Sequence, residues 1–261
     1  MNWVRFGKWS TALKVLPVAL AAVALKYGLH LLGWEVISLS PLFSGLLAAT
    51  IFLIGFLISG VLTDYKESEK LPGEIAVSLE AIADDATHLY RARQLAPARE
   101  LLARVCELSD AIRFWFFGTV PSPELFDRLI GLNDSFVALD ASAPPNMLVR
   151  MKQEQSALRR VLIRVQTVRE TSFVAPAYAI AEIAATLVIV GFLLARIDPF
   201  YESLFFVGLI AFLFTYLIAL IRDLDNPFEY GRDGSTSVDE VSLKPLEDAI
   251  ARLRARLDGL P

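Results

Sequence analysis

Ala48, Phe52, Phe56 and Ser59 follow one another at spacings of four, four and three residues inside a long apolar run. That spacing puts them on one stripe of a helix. A small side chain, two phenyl rings and a hydroxyl suit the passage of ions rather than the making of bonds. A ring of such helices would present the phenyl groups as a dewetted constriction that gates conduction. The electropositive ring edges also tolerate an anion. The plain alternative is that Phe52 and Phe56 face lipid or another helix. The run itself, FSGLLAATIFLIGFLISGVLT from Phe43 to Thr63, passes without a turn into DYKESEKLPGE. An ordinary anchor ends in a turn or a basic cluster. This one suits a helix whose outer half sits in a bilayer and whose inner end lines something wet.

Three further groups of residues invite a chemical reading. Glu182 lies about eight residues into another apolar run, roughly 12 Å deep at about 1.5 Å per residue. A carboxylate at such depth faces a bundle interior or a wet cavity. Its two readings are a pore-linked or proton-linked group and a helix contact, protonated or paired with Lys14. Asp225, Glu229 and Asp233, with Asp223, Asp239 and Glu240, offer hard oxygen ligands for calcium; their spacing matches no EF-hand loop and is better suited to a solvated acidic linker. Lys14 and Lys26 fall within the first apolar run and are expected to snorkel to its ends. No enzymatic site is expected: His30 and His88 lie far apart, and the chain has neither a P-loop nor a GxGxxG motif. His30 is expected beside Trp34 in an interfacial aromatic belt, and His88 on a helix surface. The single Cys106 excludes an intrachain disulfide and reads as a small packed residue.

The elements that must position these residues are helices. Of 261 residues, 55% are hydrophobic, and the apolar runs reach the roughly 20 residues that span a bilayer. Four spans are expected, about Thr11–Leu32, Leu42–Leu62, Val174–Ala195 and Tyr201–Ile221. The net charge of −4 argues against a nucleic-acid partner. The first apolar run continues past the small-x-small site Ala19–Ala21 to Leu32, longer than a signal-peptide core, so cleavage is not expected. Arg5 and Lys8 precede the first span, Arg159, Arg160, Arg164 and Arg169 the third, and Arg222 follows the fourth. By the positive-inside bias both termini and the insert face the cytoplasm, and a bacterial inner membrane is the expected setting. The expected divisions are 1–63, a helical insert 64–172, 173–221 and a tail 222–261.

Within the insert, Ile75, Leu79, Ile82 and Leu89 keep helical spacing over Glu74–Gln94. Pro97 suits the first turn of a second helix to about Phe117. Ser122 and Pro123 read as N-cap and first residue of a third, toward Leu139. From Asn146 a fourth helix is expected to run into the third span as one rod, kinked at most at Pro176. No strand is expected. In the tail, Leu243, Leu246, Ile250, Leu253, Leu257 and Leu260 step by three and four, a seam that must pack on its own domain or on a neighbouring subunit.

One family combines these features. FLIGFLISGVLTDYKESEKLPGE, Phe52–Glu74, resembles the pore helix and following cytosolic helix of bestrophins in Phe52, Gly55, Phe56, Thr63, Tyr65 and Glu69-Lys70-Leu71-Pro72. Asp225-Asn226-Pro227-Phe228 is similar to the motif after the last bestrophin span. The order of two spans, helical insert, two spans and tail is shared as well. The resemblance implies an all-α fold with four transmembrane helices and a cytosolic domain between spans 2 and 3. It also implies a homopentamer in the lipid bilayer that conducts anions, chloride above all, with Ala48, Phe52, Phe56 and Ser59 at its neck. Tyr65 alone stands for the aromatic pair usual after the pore helix, and Asp64 replaces a residue that is often basic, which leaves cation or poorly selective conduction as the alternative. A different class of function, a non-conducting membrane scaffold or sensor, would use the cytosolic helices and the tail seam to bind a partner.

Overall fold

The computed structural model describes residues 9–171, 175–231 and 240–260. The chain divides into two compact units, Met1–Tyr65 with Ser172–Asn226 and Lys66–Thr171 with Pro227–Pro261.

The first unit holds α1 (Ser10–Leu31), β1 (Ile37–Ser38), most of α2 (Pro41–Ser68), α7 (Ala175–Leu194), β2 (Ala195–Arg196) and α8 (Phe200–Asp225). Each of these helices is long and apolar enough to cross a membrane. Leucine, alanine and phenylalanine drive them to helix, and in a bilayer the helix also satisfies every backbone group internally. α8 packs on α1 and α7, and α1 on α7. Small residues allow close approach: a Cβ on Gly208 would lie 2.8 Å from Val23 Cγ2. The shared core gathers Ile54, Leu57 and Val61 of α2 with Ala181, Ala185 and Val188 of α7 and Val207, Ala211 and Phe214 of α8. The expectation of no strand is corrected in one detail. β1 and β2 form a short parallel bridge, Ile37 opposite Ala195 and Ser38 opposite Arg196, that joins the two interhelical connections.

The second unit contains α3 (Leu71–Arg93), α4 (Ala96–Phe116), α5 (Ser122–Asp140), α6 (Pro145–Glu170) and α9 (Lys244–Asp258). α3 packs on α4 and α6, α5 on α4 and α6, and α9 on α3 and α4. Ile75, Leu79, Ile82 and Leu89 are fully buried or nearly so, as their spacing requires. Pro72, Pro97 and Pro123 occupy first turns, where a missing N–H costs nothing.

Several boundaries differ from the sequence expectation. The fourth insert helix and the third span are not one rod: α6 stops at Glu170, where Thr171 turns extended (φ −124°, ψ 128°). Pro176 then falls in the first turn of α7, the position where proline fits a helix start. Ser122 is not a capping residue. Pro121 holds that position, and the Ser122 hydroxyl accepts a bond from the Trp115 indole N–H instead (3.0 Å). The tail seam is resolved in favour of its own unit: Leu246 and Leu253 are fully buried in α9, Ile250 nearly so. Phe228, fully buried, sits 5.7 Å from the Phe116 ring. The Val241 N–H donates to the Pro227 carbonyl (3.0 Å), and the Tyr230 hydroxyl donates to the Val241 carbonyl (2.6 Å).

Candidate functional site

α2 presents two faces. Ile54, Leu57 and Val61 are each 1% exposed and pack into the core, whereas Phe52 is 76% and Phe56 66% exposed. Ala48 and Ser59 are exposed on the same stripe. The helix runs from Pro41 to Ser68 with no internal proline, so the two faces keep their phase throughout. Its polar side chains turn inward on the helix itself: Thr50 donates to the Leu46 carbonyl and Thr63 to that of Ser59, both at 2.8 Å. Two phenyl rings thus stand outside the chain's own core, on one side of a long apolar run.

The start of α2 is fixed by contacts the sequence did not announce. Lys26 does not snorkel; it is fully buried. Its ammonium lies 2.6 Å from Glu35 Oε1 and donates to the carbonyls of Leu193 (3.2 Å) and Ala195. Two backbone acceptors and one carboxylate counter-charge surround it, which offsets the cost of burying the charge. The other Glu35 oxygen lies 2.8 Å from His30 Nδ1. Burial alone would raise the Glu35 carboxyl, but the bonds and charges of Lys26 and His30 outweigh it and hold the group below the usual carboxylate range. His30 stacks on Phe200 at 3.7 Å. Phe43, in the first turn of α2, meets Phe192 edge-on at 4.9 Å. The one local signal for this cluster was an acidic residue, Glu35, in the short connection after a lysine-bearing span.

Glu182 pairs with Arg222, not with Lys14, which is exposed. The side chain of Glu182 is 37% exposed; Arg222, three residues before the end of α8, supplies its counter-charge. Beside it in sequence, Asp223 accepts from the Thr11 hydroxyl at 2.9 Å, which ties α1 to α8. Among the described residues no group of three or more His, Cys, Asp or Glu is placed to hold a metal ion. Of the calcium candidates, Asp225 ends α8, Glu229 is exposed, and Asp233 lies outside the described residues.

In the second unit His88 is exposed and lines a cleft of about 410 Å³ with Asp84, Asp85 and Arg150. Asp85, its side chain 3% exposed, is paired with Arg150. A wider groove of about 690 Å³ opens between α3 and α6, with Leu71, Val77 and Val161 on its floor and Lys70, Arg160 and Arg164 around it. Cys106 is buried, and burial pushes its thiol up to about 11, the state of a packing residue rather than a nucleophile.

These features define an all-α membrane protein with four candidate spans and a helical unit inserted between the second and third. Solved structures share that plan in detail. A variant of the bacterial bestrophin homologue from Klebsiella pneumoniae aligns with TM-score 0.73 and 16% identity over 96% of this chain and 98% of its own. A second structure of the Klebsiella homologue gives 0.73 and 15% over 96% and 98%. A further membrane protein gives 0.75 and 16% over the full length of both chains. No protein-family model and no curated protein matches the sequence. The chain has a bestrophin-like fold.

Proposed function

We propose that this chain assembles into a homo-oligomer, a pentamer, that conducts inorganic anions, chloride foremost, through a neck lined by Ala48, Phe52, Phe56 and Ser59 of α2. The setting is a bacterial inner membrane with both termini cytoplasmic. The observation that carries this reading is the α2 stripe: its phenyl rings point away from the chain's own core while the opposite face is sealed into it. Lipid would accept those rings too, but the bestrophin-like fold favours an axis as their neighbour. Hydrophobic rings at a constriction exclude water until the pore widens, which makes them a gate.

Asp64, one residue past Thr63 on the same helix, has the sign of a cation attractor. Anion preference therefore has to come from the neck and not from this residue. The scaffold reading calls on the cytosolic helices and the tail seam; of these, the seam is buried against α3 and α4 of its own unit.

The test is single-channel recording of the purified protein in planar bilayers, wild type against Phe52→Ala/Phe56→Ala. Loss of closures and a larger conductance are expected. Unchanged conductance and gating would overturn the neck assignment, and reversal potentials in a KCl gradient decide the sign of the permeant ion.

A further inference from the structure

We infer that Lys26 is a positioning residue for the neck helix: with Glu35 it sets where α2 begins and so which way Phe52 and Phe56 point. The inference rests on the neck reading of α2. A fully buried ammonium inside an apolar span is expensive and calls for a role. Here the ammonium donates to the Leu193 and Ala195 carbonyls and is ion-paired with Glu35 at 2.6 Å. It is fully buried among these partners, so the group works through what it holds. Leu193 lies in the last turn of α7 and Ala195 just beyond, where helix carbonyls lack partners and carry the negative end of the dipole.

Glu35 precedes β1 by two residues, and β1 precedes α2 by three. The carboxylate held by Lys26 therefore fixes the connection that feeds α2. Two neighbouring contacts complete the anchor. β1 is bridged to β2, and Phe43 lies against Phe192 and over Gly191. Past Phe43, the side-chain hydrogen bonds of Thr50 and Thr63 return to α2 itself. A slip of one residue at the anchor would turn the helix by about 100°. It would carry Phe52 and Phe56 off their stripe, because no proline absorbs the change before Ser68.

Replacing both members of a buried ion pair together is often nearly neutral for folding, so an effect on arrangement can be read apart from stability. Lys26→Met/Glu35→Gln is therefore compared with wild type for assembly by native mass spectrometry, for thermal unfolding, and for open probability in bilayers. The expected result is an intact oligomer with near-wild-type unfolding and an open probability changed at least about fivefold, the lower end of typical coupling between sites. A purely structural pair would shift unfolding and leave the current of each assembled oligomer alone. Wild-type open probability and conductance in the double variant would overturn the inference. Should that variant fail to assemble, Glu35→Asp keeps both charges and shortens the tie by one methylene; an unchanged open probability there would overturn it equally. Phe52→Ala/Phe56→Ala is recorded alongside. If it behaves as wild type while the Lys26 variants do not, the neck assignment falls and the anchor is shown to act on conduction by another route.

Discussion

Gly191 offers a test of the anchor that can be worked through in energy. It lies in the last turns of α7, and a Cβ there would sit 2.3 Å from Phe43 Cε2 and 3.1 Å from Cζ. Carbon atoms prefer about 3.5–4.0 Å, so Gly191→Ala forces the ring to move by more than an ångström. The ring has little freedom, held edge-on to Phe192 at 4.9 Å. Two effects oppose each other. Alanine in a helix interior is better than glycine by about 0.5–1 kcal/mol, whereas overpacking costs typically about 1–3 kcal/mol. The clash should win, with a net loss near 1 kcal/mol and an upper bound of about 2.5. In a Phe43→Ala background the clash is gone, and the same substitution should stabilise by up to about 1 kcal/mol. The sign of one substitution thus reverses with its neighbour. Reversible unfolding in mixed micelles, run as a four-protein cycle, measures this directly. If Gly191→Ala stabilises the wild type, or has the same effect in both backgrounds, Phe43 is not seated on Gly191 as described.

Other outcomes follow from the second unit. Cys106, with its thiol raised to about 11 by burial and by Asp110, should have a thiolate fraction near pH 8 roughly 300-fold below that of a free cysteine of pKa about 8.5. Alkylation of the native protein at the unfolded rate would refute its burial. Glu80 is held below the usual carboxylate range because Arg252 donates to both of its oxygens, at 2.6 and 3.1 Å. A lowered folded-state pKa contributes stability above the unfolded value of about 4.3, lost as pH falls through the lower folded value. Hydrogen-exchange protection across α9, corrected for the intrinsic rate, should fall in that acid window, and Arg252→Met should remove part of that pH dependence.

Much of this molecule was legible because apolar periodicity is local. The four spans, the buried Ile75–Leu89 stripe and the Leu246–Leu253 seam all follow from residues a few positions apart. The errors arose where the deciding partner was distant or where two weak signals competed. Lys26 looked like a snorkelling side chain because its carbonyl partners lie 167 and 169 residues away, and backbone acceptors leave no mark in composition. For Glu182, Lys14 is one candidate partner in sequence, but Lys14 is exposed and Arg222, 40 residues away, holds the carboxylate. The single rod from Asn146 failed at Thr171, a β-branched residue five places ahead of a proline; neither breaks a helix alone. Ser122 has the right chemistry for a cap, but the Trp115 indole claims its hydroxyl.

The distribution of polar contacts in the membrane unit bears on what α2 is for. α1, α7 and α8 are pinned near both ends. At one end Lys26, Glu35 and His30 tie α1 to the close of α7 and the start of α8. At the other, Thr11 meets Asp223, and Glu182 meets Arg222. Three helices so fastened behave as a frame. α2 is attached to that frame at its start and along one apolar face only, and between Ala48 and Ser59 its other face carries two exposed phenyl rings. A frame that holds one helix by its back, with its phase set at the anchor, leaves the opposite side to be completed by something outside the chain. Copies of the same helix would complete it symmetrically, each adding one phenyl pair per level to a closed ring. A lone copy could form only one side of such a wall. On the proposed channel reading, conduction and self-assembly are a single requirement on α2, and a form of this protein that stays monomeric in the membrane should carry no current.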